Sequence, residues 1–225
     1  NRDKTKPFLM TTFLISNHMP FHLPEEELRL TDSDVLYEKI INTMHYDDDV
    51  LREFVESIQN EPWFEDTILI VTGDHAMDLG DRGDAPEYGN LRTEAVWIPL
   101  VIYGNHPRIP KGEQKILGSH NDFGMTVLDL LGICDDTSSM GHSLLSKNKD
   151  NAEIYLFKEG NAAIRNNHWS AYLPSGGNTM LYKGDDLLQK SDIASDYPDI
   201  AEQISNHLND VSIVVDYGYK KDLYH

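Results

Sequence analysis

The sequence predicts an α/β fold: a mostly parallel sheet flanked by helices, followed by a small C-terminal antiparallel β subdomain with a closing helix. Three observations predict it. Phe8–Ser16 and Ile68–Val71 are apolar runs with little polar alternation, the pattern of strands covered on both faces. Between them, apolar residues recur at helical spacing, so that strand, helix and strand read as a βαβ unit with a right-handed crossover. From about residue 152 the texture changes to short strands broken by Gly and Asn turns. The expected division is residues 1–150 for the α/β part and 151–225 for the appended subdomain.

The elements follow in order. Phe8–Ser16 runs into Asn17-His18-Met19-Pro20-Phe21-His22-Leu23-Pro24, a loop stiffened by two prolines. Asp32 or Ser33 can cap a helix through Val35, Leu36, Ile40, Ile41 and Met44, continued by Val50, Leu51, Phe54, Val55 and Ile58 until Pro62 stops it. Ile68–Val71 then ends at Thr72-Gly73-Asp74-His75, where glycine permits a tight turn and delivers a carboxylate and an imidazole to a strand end. Asp78–Asn90 is rich in Gly and Asp and reads as a mobile surface loop. Val96–Tyr103 is a further strand interrupted by Pro99, and Asp122–Leu131 is a helix closed by Gly132, with Asn121 and Asp122 as candidate caps. Short strands are expected at 154–157, 162–165, 168–173 and 179–182, and a helix near Pro198–Val211.

At 225 residues, 40% of them hydrophobic, the chain can bury one sizeable core. No apolar run approaches the roughly 20 residues of a membrane span. A net charge of −19, from 38 acids against 19 Lys and Arg, argues against nucleic acid as a partner. An anionic substrate would need a local cation to reverse that field. Cys134 is the only cysteine and its surroundings offer no base, so it is expected to be a small buried filler. The opening residues carry neither an initiator Met nor a signal-peptide pattern, so the chain reads as part of something longer.

Four features carry potential chemistry: Asn17-His18, Asp74-His75, the loop after His75, and Gly118-Ser119-His120-Asn121-Asp122. Mixed histidine and carboxylate donors suit Zn, Mn or similar divalent ions, and such an ion would polarise a phosphoryl or sulfuryl oxygen. Each of His18, His22 and His120, taken alone, fits a solvated or hydrogen-bonded loop residue better than a site residue; together they shift the balance toward a site. His142 follows the Leu-rich helix in a loop returning to the core edge, which is a structural role. Met77 and Tyr88 flank the site loop and could touch a substrate.

These motifs together resemble the sulfatase branch of the alkaline phosphatase superfamily. The resemblance rests on Asn17-His18-Met19-Pro20-Phe21, Tyr46-Asp47-Asp48, Val71-Thr72-Gly73-Asp74-His75, Trp97-Ile98-Pro99-Leu100, Asp122-Phe123-Gly124-Met125-Thr126 with Leu128-Asp129-Leu130-Leu131-Gly132, and Gly141-His142-Ser143-Leu144-Leu145. It covers roughly residues 7 to 146 and looks closest to the lipoteichoic acid synthase and phosphoglycerol transferase group. It implies an alkaline-phosphatase-like fold in which Asp74 and His75 ligate a metal and His18 contacts the substrate phosphate. In the superfamily's two-metal phosphatases, the histidine at the position of His18 joins a second metal site with an aspartate four residues earlier. Here that position is Leu14, so the second site is at most half preserved, through His120. The resemblance therefore implies one divalent metal, Mn or Zn, with Mg or Ca as alternatives, and His18 and His120 positioning a phosphate oxygen.

The family's nucleophile and a further acidic ligand have no counterpart in these residues. The implied partner is the N-terminal half of the same catalytic domain, carrying a Thr nucleophile and placed outside the cytoplasmic membrane by upstream helices. The substrate would be an anionic phosphoester or lipid. Two alternatives stand beside this reading: a sulfatase using formylglycine, and a non-catalytic binding module on the same scaffold.

Overall fold

The computed structural model describes residues 3–24, 29–31, 35–77, 91–134, 137–146 and 152–223. The chain forms two compact units, Asn1–Glu65 and Asp66–His225.

The first unit is organised by one long helix, α1 (Leu36–Ile58), which ends before Pro62 as its sequence predicts. Residues 32–34, the expected cap, lie outside the described residues. Its buried positions are polar: the Asn42 side chain accepts from the Leu30 and Thr31 amides and donates to the Thr31 carbonyl. The Thr43 hydroxyl donates back to the carbonyls of Lys39 and Ile40. Both side chains satisfy groups that burial would otherwise strand. Phe8 packs edge-on against Trp63, ring centroids 5.3 Å apart.

The strand expected over Phe8–Ser16 does not form. These residues make no ladder, and Leu9 and Ile15 are 90% and 80% exposed. An apolar run shows that a segment favours burial on both faces, but not which neighbour supplies the cover.

In the second unit, β1 (Leu69–Thr72) follows the predicted apolar run. It pairs antiparallel with β2 (Leu100–Tyr103), in register Leu69 with Tyr103 and Thr72 with Leu100. Both sheets of the described residues are antiparallel, so the expected parallel βαβ pairing is corrected here. The α/β class itself holds. Pro99 ends the segment before β2, and Thr93–Val96 forms a short helix, α2, where a strand had been expected to start.

α3 (His120–Leu130) begins two residues before the sequence predicts. Its N-cap is Ser119, not Asn121 or Asp122. The Asp122 carboxylate closes the box by accepting from the Ser119 amide (2.7 Å) and hydroxyl (3.1 Å). At the other end Gly132 adopts φ 68°, the left-handed conformation that glycine supplies after a helix. Cys134 lies just beyond and is exposed, which corrects its expected burial: the helix has already left the core at that point.

The C-terminal subdomain matches the sequence closely. β3 (Ile154–Lys158), β4 (Asn161–Arg165), β5 (Trp169–Leu173) and β6 (Met180–Lys183) form an antiparallel meander. The closing helix α4 spans Pro198–Lys220, nine residues beyond its predicted end, and runs through a buried Gly218. One sheet face packs Ala162, Ile164, Ala171 and Leu181 against Ala201 and Leu208 of α4. The other face packs Ala163, Tyr172 and Tyr182 around Leu91, immediately before α2. Arg165 donates to the Thr93 hydroxyl (3.0 Å) and the Gln189 side chain accepts from the Thr93 amide (3.1 Å), fixing α2 to the sheet.

Candidate functional site

The turn after β1 places Asp74 and His75 at the strand end, with side chains 76% and 68% exposed. Gly73 has no positive φ. A Cβ there would stand 3.3 Å from Ile98 Cγ2, a close contact that the absent side chain relieves. The turn is anchored on several sides. Thr72 Oγ1 donates to the Pro99 carbonyl (2.9 Å), the Ala76 amide donates to the Ala95 carbonyl (3.1 Å), and His120 Nε2 lies 2.9 Å from the Gly73 carbonyl. Through Ala95 of α2, the turn is connected to the four-stranded sheet.

Within the turn the two candidate ligands organise each other. The His75 backbone N–H donates to Asp74 Oδ1 (2.8 Å) and, as the largest influence, holds the Asp74 carboxyl below the usual range against slight desolvation. The charges of His75 and His120 act in the same direction. His75 Nδ1 donates to the Ala76 carbonyl at 2.8 Å. A carbonyl only accepts, so Nδ1 carries the hydrogen and the neutral ring presents Nε2 as a lone pair.

Asp74 Oδ2 and His75 Nε2 are 3.9 Å apart. Metal bonds to such atoms are about 2.0–2.2 Å long, so one ion can reach both. The donor set therefore fits a divalent metal but is incomplete, since no group of three or more His, Cys, Asp or Glu suited to a metal occurs among the described residues.

The structure brings Asp74, His75 and His120 together in the second unit. His18 lies in the first. Its Nδ1 donates to the Met19 carbonyl (2.9 Å), which leaves Nε2 outward. The adjacent Asn17 donates to Asp47 Oδ2 on α1 (2.6 Å). Burial pushes the Asp47 carboxyl up, the Ser16 hydroxyl opposes this, and Oδ1 has no hydrogen-bond partner among the described residues. Asp47 stands in the Tyr46-Asp47-Asp48 motif, but the sequence assigned it no role at the site. Its signal was a carboxylate between Thr43 and Leu51 on the inward side of an amphipathic helix.

The segment at His142 is tied to α3 through its main chain. The His142 amide donates to Asp122 Oδ1 (2.8 Å), and the Leu144 amide donates to Thr126 Oγ1 (2.9 Å). Ser143 donates to Asp129, which also receives two hydrogen bonds from Arg108 at 2.5 and 2.6 Å. Met77 is exposed beside the turn, whereas Tyr88 and the loop 78–90 lie outside the described residues.

The sequence profile of the sulfatase family matches residues 1–133. The chain belongs to the sulfatase family. Among its relatives, the lipoteichoic acid synthase of Staphylococcus saprophyticus is 27% identical over 172 residues, covering 69% of this chain and 25% of that protein. The lipoteichoic acid synthase-like YvgJ of Bacillus subtilis is 24% identical over 159 residues, covering 63% of this chain and 25% of that protein. A crystal structure of an alkaline phosphatase superfamily protein from Vibrio parahaemolyticus superposes with a TM-score of 0.71 at 20% identity, over 93% of this chain and 48% of that one. This sulfatase-family chain thus has an alkaline-phosphatase-superfamily fold. It spans about a quarter of the length of its curated relatives and about half of the solved neighbour.

Proposed function

We propose that this chain is the C-terminal half of a metal-dependent phosphoester transferase or hydrolase, phosphoglycerol-transferase-like in its chemistry. The observation that carries the reading is the turn after β1, where Asp74 Oδ2 and His75 Nε2 are both exposed and 3.9 Å apart, with the His75 tautomer set by Ala76. The lipoteichoic acid synthase relatives support phosphoester chemistry over other branches of the family.

In this reading Asp74 and His75 hold one divalent ion, Mn or Zn. When bound, that ion supplies positive charge for a phosphoryl oxygen and lowers the pKa of the nucleophile. His18 binds the phosphoryl group through Nε2. Because Nδ1 already donates to Met19, a second donated hydrogen requires the imidazolium. The nucleophile, expected to be a threonine, and the remaining acidic ligand come from the N-terminal half of the same domain. Coverage of only 48% of the solved neighbour supports that division. No described helix is long and apolar enough to cross a membrane. An extracytoplasmic position, tethered by upstream helices, follows from the lipoteichoic acid synthase resemblance, as does an anionic lipid phosphoester as substrate.

The test joins the chain to its upstream half and assays a generic phosphodiester and an aryl sulfate, with and without Mn²⁺ or Zn²⁺. Metal-dependent phosphodiester turnover that is lost in Asp74→Asn is expected. Two tightly bound ions per site, or turnover unchanged in Asp74→Asn, would overturn the single-metal reading. A preference for the sulfate ester would assign a sulfatase, and inactivity on both with no bound metal would assign a binding module.

A further inference from the structure

We propose that His120 is a positioning residue for the Asp74–His75 pair, acting through the Gly73 carbonyl and not as a ligand of the metal. The proposal rests on the metal reading of that pair.

His120 is the first residue of α3, a position fixed by the Ser119–Asp122 box. Its Nε2 lies 2.9 Å from the Gly73 carbonyl oxygen, 47 residues away in sequence. A carbonyl cannot donate, so Nε2 carries the hydrogen. Nε2 is then unavailable as a ligand. The Gly73 carbonyl lies in the same planar peptide as the Asp74 nitrogen. Fixing that oxygen therefore fixes the plane from which the Asp74 side chain departs. The alternative local donor is weaker: Thr72 Oγ1 stands 3.4 Å from the Gly73 carbonyl and is engaged with Pro99 at 2.9 Å. On the far side of the pair, the Ala76 amide is held by Ala95. His120 thus clamps the near end of a turn whose far end is held by α2.

The absence of any three-donor metal group among the described residues agrees with His120 standing outside the ligand set. Partners that orient metal ligands are typically worth about 10- to 100-fold in metal affinity. Here the clamp is solvent-exposed, which places the expected effect at the lower end, about tenfold.

Two measurements test this. In metal-free protein, ¹⁵N NMR of the His120 ring at a pH where it is neutral should show the Nε2–H tautomer; the Nδ1–H tautomer would overturn the proposal. Calorimetric titration with Mn²⁺ should show about tenfold weaker binding in His120→Ala. Binding should be near wild type in His120→Gln, whose side-chain amide can donate to the same carbonyl. Equal losses in both variants would mean that an imidazole lone pair is required and would overturn it. If Asp74→Asn loses Mn²⁺ while His120→Ala retains full affinity, only the His120 proposal fails. If Asp74→Asn binds Mn²⁺ unchanged, the metal reading fails and takes this proposal with it. Circular dichroism and melting of each variant separate these outcomes from misfolding.

Discussion

At the scale of single residues, three histidines are set in the same way: each gives one ring hydrogen to a backbone carbonyl, His18 to Met19, His75 to Ala76 and His120 to Gly73. The sequence shows where histidines stand but not which nitrogen is engaged, because the acceptor is a main-chain atom that no motif names. Asp47 illustrates a different gap. Its carboxylate is partly desolvated and pushed up, yet it holds the loop of His18 through Asn17. A raised folded-state pKa contributes stability at low pH that is lost as pH rises through it. Asp47→Asn removes the buried charge while its amide oxygen still accepts from Asn17. The variant is therefore expected to melt at a higher temperature than wild type at pH 7, with the difference shrinking as pH falls toward the wild-type carboxyl's titration. A melting series from pH 4 to 7 measures this. Gly141 is a steric case. A Cβ there would stand 1.8 Å from the Asn121 carbonyl oxygen on α3, so Gly141→Ala should displace the following loop and cost about 2 kcal/mol or more by chemical denaturation.

Among the elements, α3 does more than its apolar spacing announces. Asp122, Thr126 and Asp129 fall at i, i+4 and i+7, on one face, and each holds part of the segment from His142 to Leu144. The sequence reading found the helix from its leucines and the loop from its glycine, but the strap joining them is made of polar residues that read as ordinary surface. Asp129→Ala removes the two-point bond from Arg108 and the bond from Ser143 together, and is expected to lower stability by about 1–2 kcal/mol. The C-terminal meander was legible because its strands are joined locally, with Glu159 and Gly160 at positive φ in the first turn. β1 and β2 were not paired in advance because the 27 residues between them carry no hairpin signal.

Docking of α4 onto β3 is polar at one point. Glu153, just before β3, accepts from Tyr155 and Asn166 and stands 3.3 Å from His207 of α4. Burial raises the Glu153 pKa, but those hydrogen bonds and the His207 charge outweigh it and hold the carboxyl below the usual range. A depressed pKa contributes stability above the unfolded value that is lost as pH falls through the folded one. Glu153→Gln should therefore be less stable than wild type at neutral pH and converge with it as pH falls below about 4. Parallel melts that stay separated down to pH 3 would remove Glu153 from this role.

The whole molecule is uneven in a way that bears on its function. The subdomain behind the site is well filled, with Tyr172, Leu181 and Leu208 fully buried between α4, the sheet and Leu91. Leu208→Ala should cost about 2–5 kcal/mol there. By contrast, Leu9, Met10, Phe13 and Ile15 in the first unit, and Val101 and Tyr103 on β2 in the second, are exposed. Exposed apolar patches on this scale mark surfaces that bind something. The apolar run Phe8–Ser16 reads in sequence as a strand buried on both faces, but in the structure it is neither a strand nor buried. Among the described residues, 8–16 make no ladder. If the N-terminal half proposed above completes the fold, residues 9–15 should gain backbone partners. Their amides should then exchange slowly, while in the 225-residue chain alone they exchange at the rates of an open segment. Hydrogen exchange read by mass spectrometry on the two forms distinguishes the cases. Equal, fast exchange with the upstream half present would make residues 9–15 a solvated connector and assign completion of the fold to the edges of β1 and β2.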